Sequence, residues 1–99
     1  SDMKKIPSNL QGVLWSYPIE DLDLNKHKSY IIHQVLMYGD FDQIRWLFDT
    51  YSKEGITNVF LNKPQKIYTK EALNYINKFI LGLDSKQLET NKYVNSILS

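Results

Sequence analysis

The sequence predicts an all-α protein, a single small domain of four to five helices with an irregular, aromatic N-terminal wrap. Three observations support this prediction. The 99 residues are enough for one hydrophobic core. Apolar residues recur at helical spacing in several stretches, and Ser, Thr, Asp and Gly stand where helices would begin and end. Apolar residues form 42% and charged residues 23% of the chain, which is typical of a folded globular domain and not of a disordered one.

Residues 3–24 are expected to form an ordered wrap without long helices. Pro7, Gly12 and Pro18 interrupt this stretch, yet its many apolar side chains would be unfavourable in water. We therefore expect the wrap to pack onto the helices, with a short helical turn at about residues 9–15. Ser1 and Asp2, which precede Met3, are expected to be additions from cloning.

Residues 26–51 are the stretch around which the chain is organised, and they predict two helices. The first is placed at about 25–38, with Asp23 or Asn25 as its cap. Gly39 is expected to end it with a positive φ angle, and Asp40 then caps a second helix at about 41–51. The predicted inner face of the first helix includes Ile31, Val35 and Tyr38, and that of the second includes Phe41, Ile44, Leu47, Phe48 and Tyr51.

The second half of the chain predicts two or three further helices. Residues 52–62 favour a short helix with Gly55 near one end, although their β-branched residues leave a strand as the alternative. After a Pro64-containing break and an extended 67–68, Thr69 caps a helix at 69–81 that ends at Gly82. Ser85 can cap a final helix within 84–99, whose weakly patterned middle favours fraying. Its docking residues would be Leu88, Val94, Ile97 and Leu98.

The composition excludes several classes of function. The chain has no cysteine, which rules out disulfides, cysteine-ligated metal sites and thiol catalysis. No run approaches the roughly 20 apolar residues of a membrane span, and the first residues lack the apolar core of a signal peptide. We therefore expect a cytoplasmic protein without a membrane partner.

Catalytic and metal-binding patterns are also missing from the sequence. His27 and His33 share one predicted helix but lie roughly 240° apart around its axis, so they cannot bind one metal together. Both are interpreted as surface or half-buried histidines. The Asp21/Asp23 and Asp40/Asp42 pairs have the spacing of magnesium ligands in nucleotidyltransferases, but helix capping and the helix dipole account for the second pair. We expect no enzyme activity, no cofactor and no metal.

A DNA-binding regulator is the alternative from another functional class. The helices at about 54–62 and 69–81 would form a loose helix-turn-helix, with a connection longer than usual. Thr69, Lys70, Asn74 and Asn77 would face the major groove, and Lys63 and Lys66 would contact phosphates. The candidate DNA-binding set is Lys63, Lys66, Thr69, Lys70, Asn74, Asn77 and Lys78. The competing interpretation is that these lysines are the solvated face of a helix.

Residues of about 10–83 resemble a small bacterial family of unknown biochemical function. The specific part of the pattern is Gly39-Asp40 followed by Arg45-Trp46-Leu47. The other matching positions are Leu14-Trp15, Leu22-Asp23, Lys26-His27, Ile31-Ile32 and Val35-Leu36 and, more loosely, Tyr68-Thr69-Lys70 and Leu81-Gly82. The chain departs from the family where arginines are usual, at Lys63, Lys66 and Tyr68, and at Tyr75, where a tryptophan is usual.

The resemblance implies an antitoxin-like or accessory role, because members of this family often lie beside abortive-infection nucleotidyltransferase toxins. It supplies no catalytic residues. The residues expected to contact a protein partner, a toxin or a defence enzyme, are Trp15, Tyr17, His27, His33, Arg45 and Trp46. For Trp46 the alternative is packing against the N-terminal wrap. A further alternative function is a phage-encoded inhibitor of a bacterial defence enzyme.

Overall fold

Helices account for most of the chain in the computed structural model, which describes residues 6–83 and 88–95. The three α-helices are α1 (Lys28–Tyr38), α2 (Phe41–Asn62) and α3 (Lys70–Tyr75), and α3 continues into a π-helical turn, Ile76–Ile80. Short 3-10 turns lie at Ser8–Gly12, Ile19–Asp21 and Thr90–Lys92. The described part contains no strand beyond an isolated bridge between Tyr68 and Val94. The all-α class is confirmed, but the expected four to five helices are not found.

The N-terminal wrap packs onto the helices over its described residues. Leu10 and Leu14 are fully buried in the core, and Val13, Ile19 and Leu22 pack against it. Within residues 6–24 the wrap thus lies against the core. Its burial follows from the apolar content, since these side chains gain about 25 cal/mol for each Å² removed from water.

Helix α1 begins three residues later than predicted, at Lys28. The preceding residues form a turn in which a carboxylate oxygen of Asp23 accepts hydrogen bonds from the backbone N–H groups of Asn25 and Lys26, at 2.8 and 2.9 Å. These bonds, more than any other cause, hold the pKa of Asp23 below its usual value. Asp23 is thus a cap, as expected, but it caps the turn before the helix.

The turn between α1 and α2 is made by Gly39 and Asp40. Gly39 has φ −74° and ψ 152°, so the expectation of a positive φ is wrong. A Cβ atom at this position would lie 2.6 Å from the carbonyl oxygen of Val35, and this close approach is what requires glycine. Asp40 caps α2 as predicted, through a capping box with Gln43. Helices α1 and α2 pack directly against each other.

Helix α2 covers both helices that the sequence predicts over 41–62. Ser52, at the predicted boundary, has the non-helical angles φ 66° and ψ 158° and kinks the helix there. Its hydroxyl accepts a hydrogen bond from the N–H of Gly55 at 3.2 Å, so Gly55 lies in the first turn after the kink. The alternative of a strand at 52–62 is wrong. The continuation of the chain across this kink is one reason why fewer helices are found than expected.

The end of the described chain differs from the predicted final helix. Ser85, Ile97 and Leu98 lie outside the described residues. Residues 88–95 contain only the 3-10 turn Thr90–Lys92, and their backbone pairs with Tyr68. The N–H of Tyr68 donates to the carbonyl oxygen of Tyr93, and that of Asn95 donates to the carbonyl oxygen of Tyr68. Leu88 and Val94 nevertheless contact the core, as the sequence predicts.

Two further predictions are confirmed, one at the start of α3 and one just after the π-helical turn that continues it. The hydroxyl of Thr69 caps the helix by accepting a hydrogen bond from the N–H of Ala72 at 3.1 Å. Gly82 has a φ of 63°, which is the left-handed conformation expected after a helix end.

Candidate interaction surfaces

The six residues predicted to contact a protein partner do not form one surface. Trp15, Tyr17 and Arg45 are exposed, whereas His27 is half-buried. Trp46 is half-buried and packs against the core. His33 is fully buried, so its interpretation as a surface or half-buried histidine is wrong. In this conformation His33 does not present a surface to a partner.

Tyr17 and His27 meet on the outer side of the wrap. Their ring centroids are 4.8 Å apart, and the ring of Tyr30 lies 5.3 Å from that of Tyr17. The hydroxyl of Tyr30 also accepts a hydrogen bond from the N–H of Ser16 at 2.9 Å. These contacts hold the wrap against α1, so the two predicted partner residues also have a structural role.

Trp15, Tyr38, Phe41 and Arg45 form what we call the hairpin surface, at the turn between α1 and α2. The rings of Trp15 and Tyr38 meet edge to face, with centroids 4.9 Å apart. The guanidinium group of Arg45 lies 5.1 Å from the ring centre of Phe41, which is a cation–π distance. Trp15 is 56% and Phe41 72% exposed. Arg45 is thus exposed, as the sequence predicts for a residue that contacts a partner. Its neighbour Phe41 is also exposed, although the sequence predicts it on the inner face of the helix.

Two residues of the hairpin surface were assigned to the core from the sequence. Tyr38 fits the helical spacing of α1 and Phe41 that of α2, but both are exposed. They are the last residue of one helix and the first of the next, on either side of the turn. Their position beside the Gly39-Asp40 turn is the sequence signal that could have identified them as exposed.

The predicted DNA-binding residues are also divided between surface and interior. Lys63, Lys66, Lys70, Asn74 and Lys78 are exposed. Asn77 is only 2% exposed, so the prediction that it contacts the major groove is wrong. The hydroxyl of Thr69 is engaged in capping α3. Of the four residues that the helix-turn-helix hypothesis places in the major groove, only Lys70 and Asn74 could therefore contact bases.

Tyr75, Phe79 and their polar neighbours form a second exposed surface on α3 and the π-helical turn. The two ring centroids are 5.5 Å apart, and the rings are 55% and 74% exposed. Lys70, Glu71, Asn74 and Lys78 are the exposed polar residues beside them, and with the two rings they constitute what we call the α3 surface.

A small cavity of about 130 Å³ lies between α3 and the segment 88–95. Its lining residues are Lys70, Leu73, Asn74, Asn77, Leu88 and Thr90. Pockets for drug-sized ligands usually enclose about 300–1,000 Å³. This cavity is below that range, and it supports no assignment of a small-molecule ligand.

Charge is distributed unevenly along the described chain. Residues 6–51 carry six acidic and three basic side chains, a net charge of −3, whereas residues 52–83 carry two acidic and five basic ones, a net charge of +3. The hairpin surface belongs to the acidic part and the α3 surface to the basic part. Among the described residues, no three His, Asp or Glu side chains are grouped so that they could hold a metal ion.

No helix in residues 6–83 or 88–95 combines the length and the apolar composition that crossing a bilayer requires.

Comparison with known proteins gives one match. Neither the curated proteins nor the solved structures contain a match to the chain. A family model, described as a family of unknown function, matches residues 10–60. The match begins in the N-terminal wrap and stops two residues before the end of α2. This segment contains the whole hairpin surface and none of the α3 surface. It spans just over half of the 99 residues, and the chain therefore belongs to this family, DUF6922.

Proposed function

We propose that the protein is a non-enzymatic protein-binding module that contacts its partner through the hairpin surface. The observation that carries this proposal is the exposure of three large rings, Trp15, Tyr38 and Phe41, beside one turn of the chain. Aromatic residues and arginine are enriched where proteins bind one another, and they supply most of the binding energy there. Burying these rings against a partner would remove apolar surface from water.

The hydrogen bonds that hold the backbone beside the hairpin surface support this function. The Asp40 capping box fixes the start of α2, and the amide of Gln43 donates to the carbonyl oxygen of Asn9 at 3.1 Å, which ties the wrap to the same helix end. The exposed rings are therefore carried by backbone that is already held in place. A surface ordered before binding loses less conformational entropy in the complex.

The extent of the family match supports the same assignment. The family model covers residues 10–60, which include every residue of the hairpin surface and stop before α3. The family itself has no known function, so the biological setting comes from the sequence resemblance. On that basis we propose an antitoxin-like or accessory protein of a bacterial toxin–antitoxin or phage-defence system, acting in the cytoplasm on a toxin or a defence enzyme.

The partner can be identified by affinity purification of the tagged protein from its native host, with nuclease added, followed by mass spectrometry. A co-purifying nucleotidyltransferase supports the antitoxin-like role, and a defence nuclease supports the alternative of an inhibitor. Recovery of DNA alone from an untreated sample, with no protein in the treated one, contradicts a protein-binding function.

The surface is then tested with the purified partner and two matched variants. Phe41→Ala removes a ring that is 72% exposed, and Phe79→Ala removes one that is 74% exposed on the other surface. We expect Phe41→Ala to weaken binding by about tenfold or more, as central interface residues do, and Phe79→Ala to leave it unchanged. Both should keep the helical circular dichroism signal. Equal affinities of the two variants would contradict the assignment of the hairpin surface.

A further inference from the structure

The exposed residues of α3 and the π-helical turn recur in pairs on one side of the helix. Positions 70, 71, 74, 75, 78 and 79 are exposed, whereas Leu73, Ile76 and Asn77 are buried. An amphipathic helix normally covers its exposed side with small or charged residues. Here two large rings, Tyr75 and Phe79, stand in water side by side. This pairing lies outside the segment that the family model covers and is independent of the proposed hairpin surface.

Cationic side chains accompany the two rings. Lys70 and Lys78 lie two turns apart on the same exposed side, with Asn74 between them, and the span from one to the other is about 12 Å along the helix axis. Glu71 is the one acidic residue among the exposed positions of this helix. The net charge of +3 over residues 52–83 adds to the local field. A ligand of the α3 surface should therefore be anionic and should carry flat apolar groups.

We propose that the α3 surface binds single-stranded nucleic acid, with bases stacked on Tyr75 and Phe79 and phosphates paired with Lys70 and Lys78. Aromatic rings on which bases stack, and cationic side chains that pair with phosphates, are the two components by which proteins hold unpaired strands without reading their sequence. Unpaired RNA and unpaired DNA share this chemistry, because both have accessible base faces and a chain of phosphates. The span between the two lysines limits the contact to a few nucleotides.

An unpaired strand fits the α3 surface better than a duplex does. Reading a duplex requires polar side chains that reach base edges in the groove, but Asn77 is buried and Thr69 caps the helix. The bases of a duplex are stacked on one another, so their faces cannot reach Tyr75 and Phe79. Tyr75 and Phe79 can therefore stack only on bases of an unpaired strand.

The test is fluorescence anisotropy of the full chain with labelled oligouridine and oligothymidine of about a dozen nucleotides, and with a duplex of the same length. We expect saturable binding of the single strands and weaker binding of the duplex. Phe79→Ala should weaken single-strand binding by about tenfold, because it removes a ring on which a base stacks. Phe41→Ala, which removes an equally exposed ring from the hairpin surface, should bind as the wild type does.

The charge component has its own measurement. Two phosphate contacts predict that log K falls with log salt concentration with a slope of about −1.4. Lys78→Gln should reduce this slope by about 0.7, and Glu71→Gln should strengthen binding, because it removes the acidic group from the surface. Parallel titrations with RNA and DNA distinguish the two sources of the shared chemistry. A preference for one of them identifies the ligand more closely.

Three results would overturn the proposal. The first is no saturable binding of either single strand by the wild type. The second is stronger binding of the duplex, which would instead support a helix-turn-helix. The third is an equal effect of Phe41→Ala and Phe79→Ala on single-strand binding. Loss of a wild-type dimer in Phe79→Ala, seen by sedimentation in the absence of single-strand binding, would assign the α3 surface to self-association.

Discussion

Tyr68 donates a hydrogen bond from its hydroxyl to Nδ1 of His33, with the two atoms 2.7 Å apart and both side chains fully buried. The direction follows from the other side of the ring, where Nε2 lies 2.7 Å from the carbonyl oxygen of Lys63. A carbonyl oxygen only accepts, so the ring proton of neutral His33 is on Nε2 and Nδ1 is the acceptor. His33 thus joins α1 to the segment that follows α2.

Tyr68→Phe should destabilise the protein by about 1–3 kcal/mol, because it leaves the buried Nδ1 of His33 without a donor. The ring itself is retained, so the change isolates the hydroxyl. Urea denaturation followed by circular dichroism measures the free energy of unfolding. The control is Tyr75→Phe, whose hydroxyl is on an exposed residue, and it should have little effect. Equal unfolding free energies of the two variants would show that the His33–Tyr68 hydrogen bond contributes nothing.

The stability of the protein should fall as the pH is lowered below about 6.5. Burial holds the pKa of His33 below the usual histidine value of 6.5, with the hydrogen bond to the Lys63 carbonyl opposing the shift. In the window between the lowered pKa and 6.5, the unfolded state binds a proton that the folded state does not. The contribution of His33 is therefore complete above pH 6.5 and is lost as the pH falls through that window.

The measurement is urea denaturation at a series of pH values for the wild type, His33→Gln and His27→Gln. We expect the acid loss to be shallower in His33→Gln and to persist in His27→Gln, which retains the buried ring. An NMR titration of the wild type follows the His33 ring directly and does not depend on the variant folding. Protonation of that ring at or above pH 6.5 would contradict the prediction.

The features predicted correctly from the sequence are those that depend on neighbouring residues. Asp40 and Thr69 cap their helices and Gly82 takes a positive φ, because each of these roles is set within about one helical turn. The break at Ser52 was also found from local composition, although the chain continues across it as one kinked helix. The all-α class follows from the same local patterns.

The features predicted wrongly depend on distant partners. All residues from Ile31 to Leu36 are buried, including His33 and Gln34. The amide of Gln34 donates to the carbonyl of Val13 at 2.8 Å, and His33 is paired with Lys63 and Tyr68. No periodicity within α1 reveals these partners, so the sequence predicts a surface or half-buried residue where the structure has a core histidine. Tyr93, whose hydroxyl donates to Phe60 at 2.7 Å, was missed for the same reason.

Gly39→Ala should destabilise the protein by about 1–3 kcal/mol, the usual range for overpacking. Its Cβ would lie 2.6 Å from the carbonyl oxygen and 2.9 Å from a methyl carbon of Val35. The backbone of the α1–α2 turn would have to move. Gly12→Ala is the matched control, because a Cβ there meets nothing within 4 Å. Thermal unfolding compares the two variants, and a lower midpoint for Gly12→Ala than for Gly39→Ala would contradict the steric argument.

Ser52→Gly should stabilise the protein by about 1 kcal/mol. Ser52 has φ 66° and ψ 158°, a region almost restricted to glycine in which other residues are strained by about 1–3 kcal/mol. Glycine relieves this strain. It loses the hydrogen bond from the N–H of Gly55 to the serine hydroxyl, which at a helix start costs only a few tenths of a kcal/mol when glycine replaces serine. It also adds about 0.5–1 kcal/mol of backbone entropy to the unfolded chain.

Ser52→Ala separates the two effects, because alanine keeps the Cβ and its strain but removes the hydroxyl. We expect Ser52→Ala to be about 1 kcal/mol less stable than the wild type, and hence Ser52→Gly to be the most stable of the three proteins in urea denaturation. If Ser52→Gly were instead less stable than the wild type, the hydrogen bond to Gly55 would outweigh the backbone strain. The kink would then be maintained by the serine hydroxyl more than it is opposed by the positive φ.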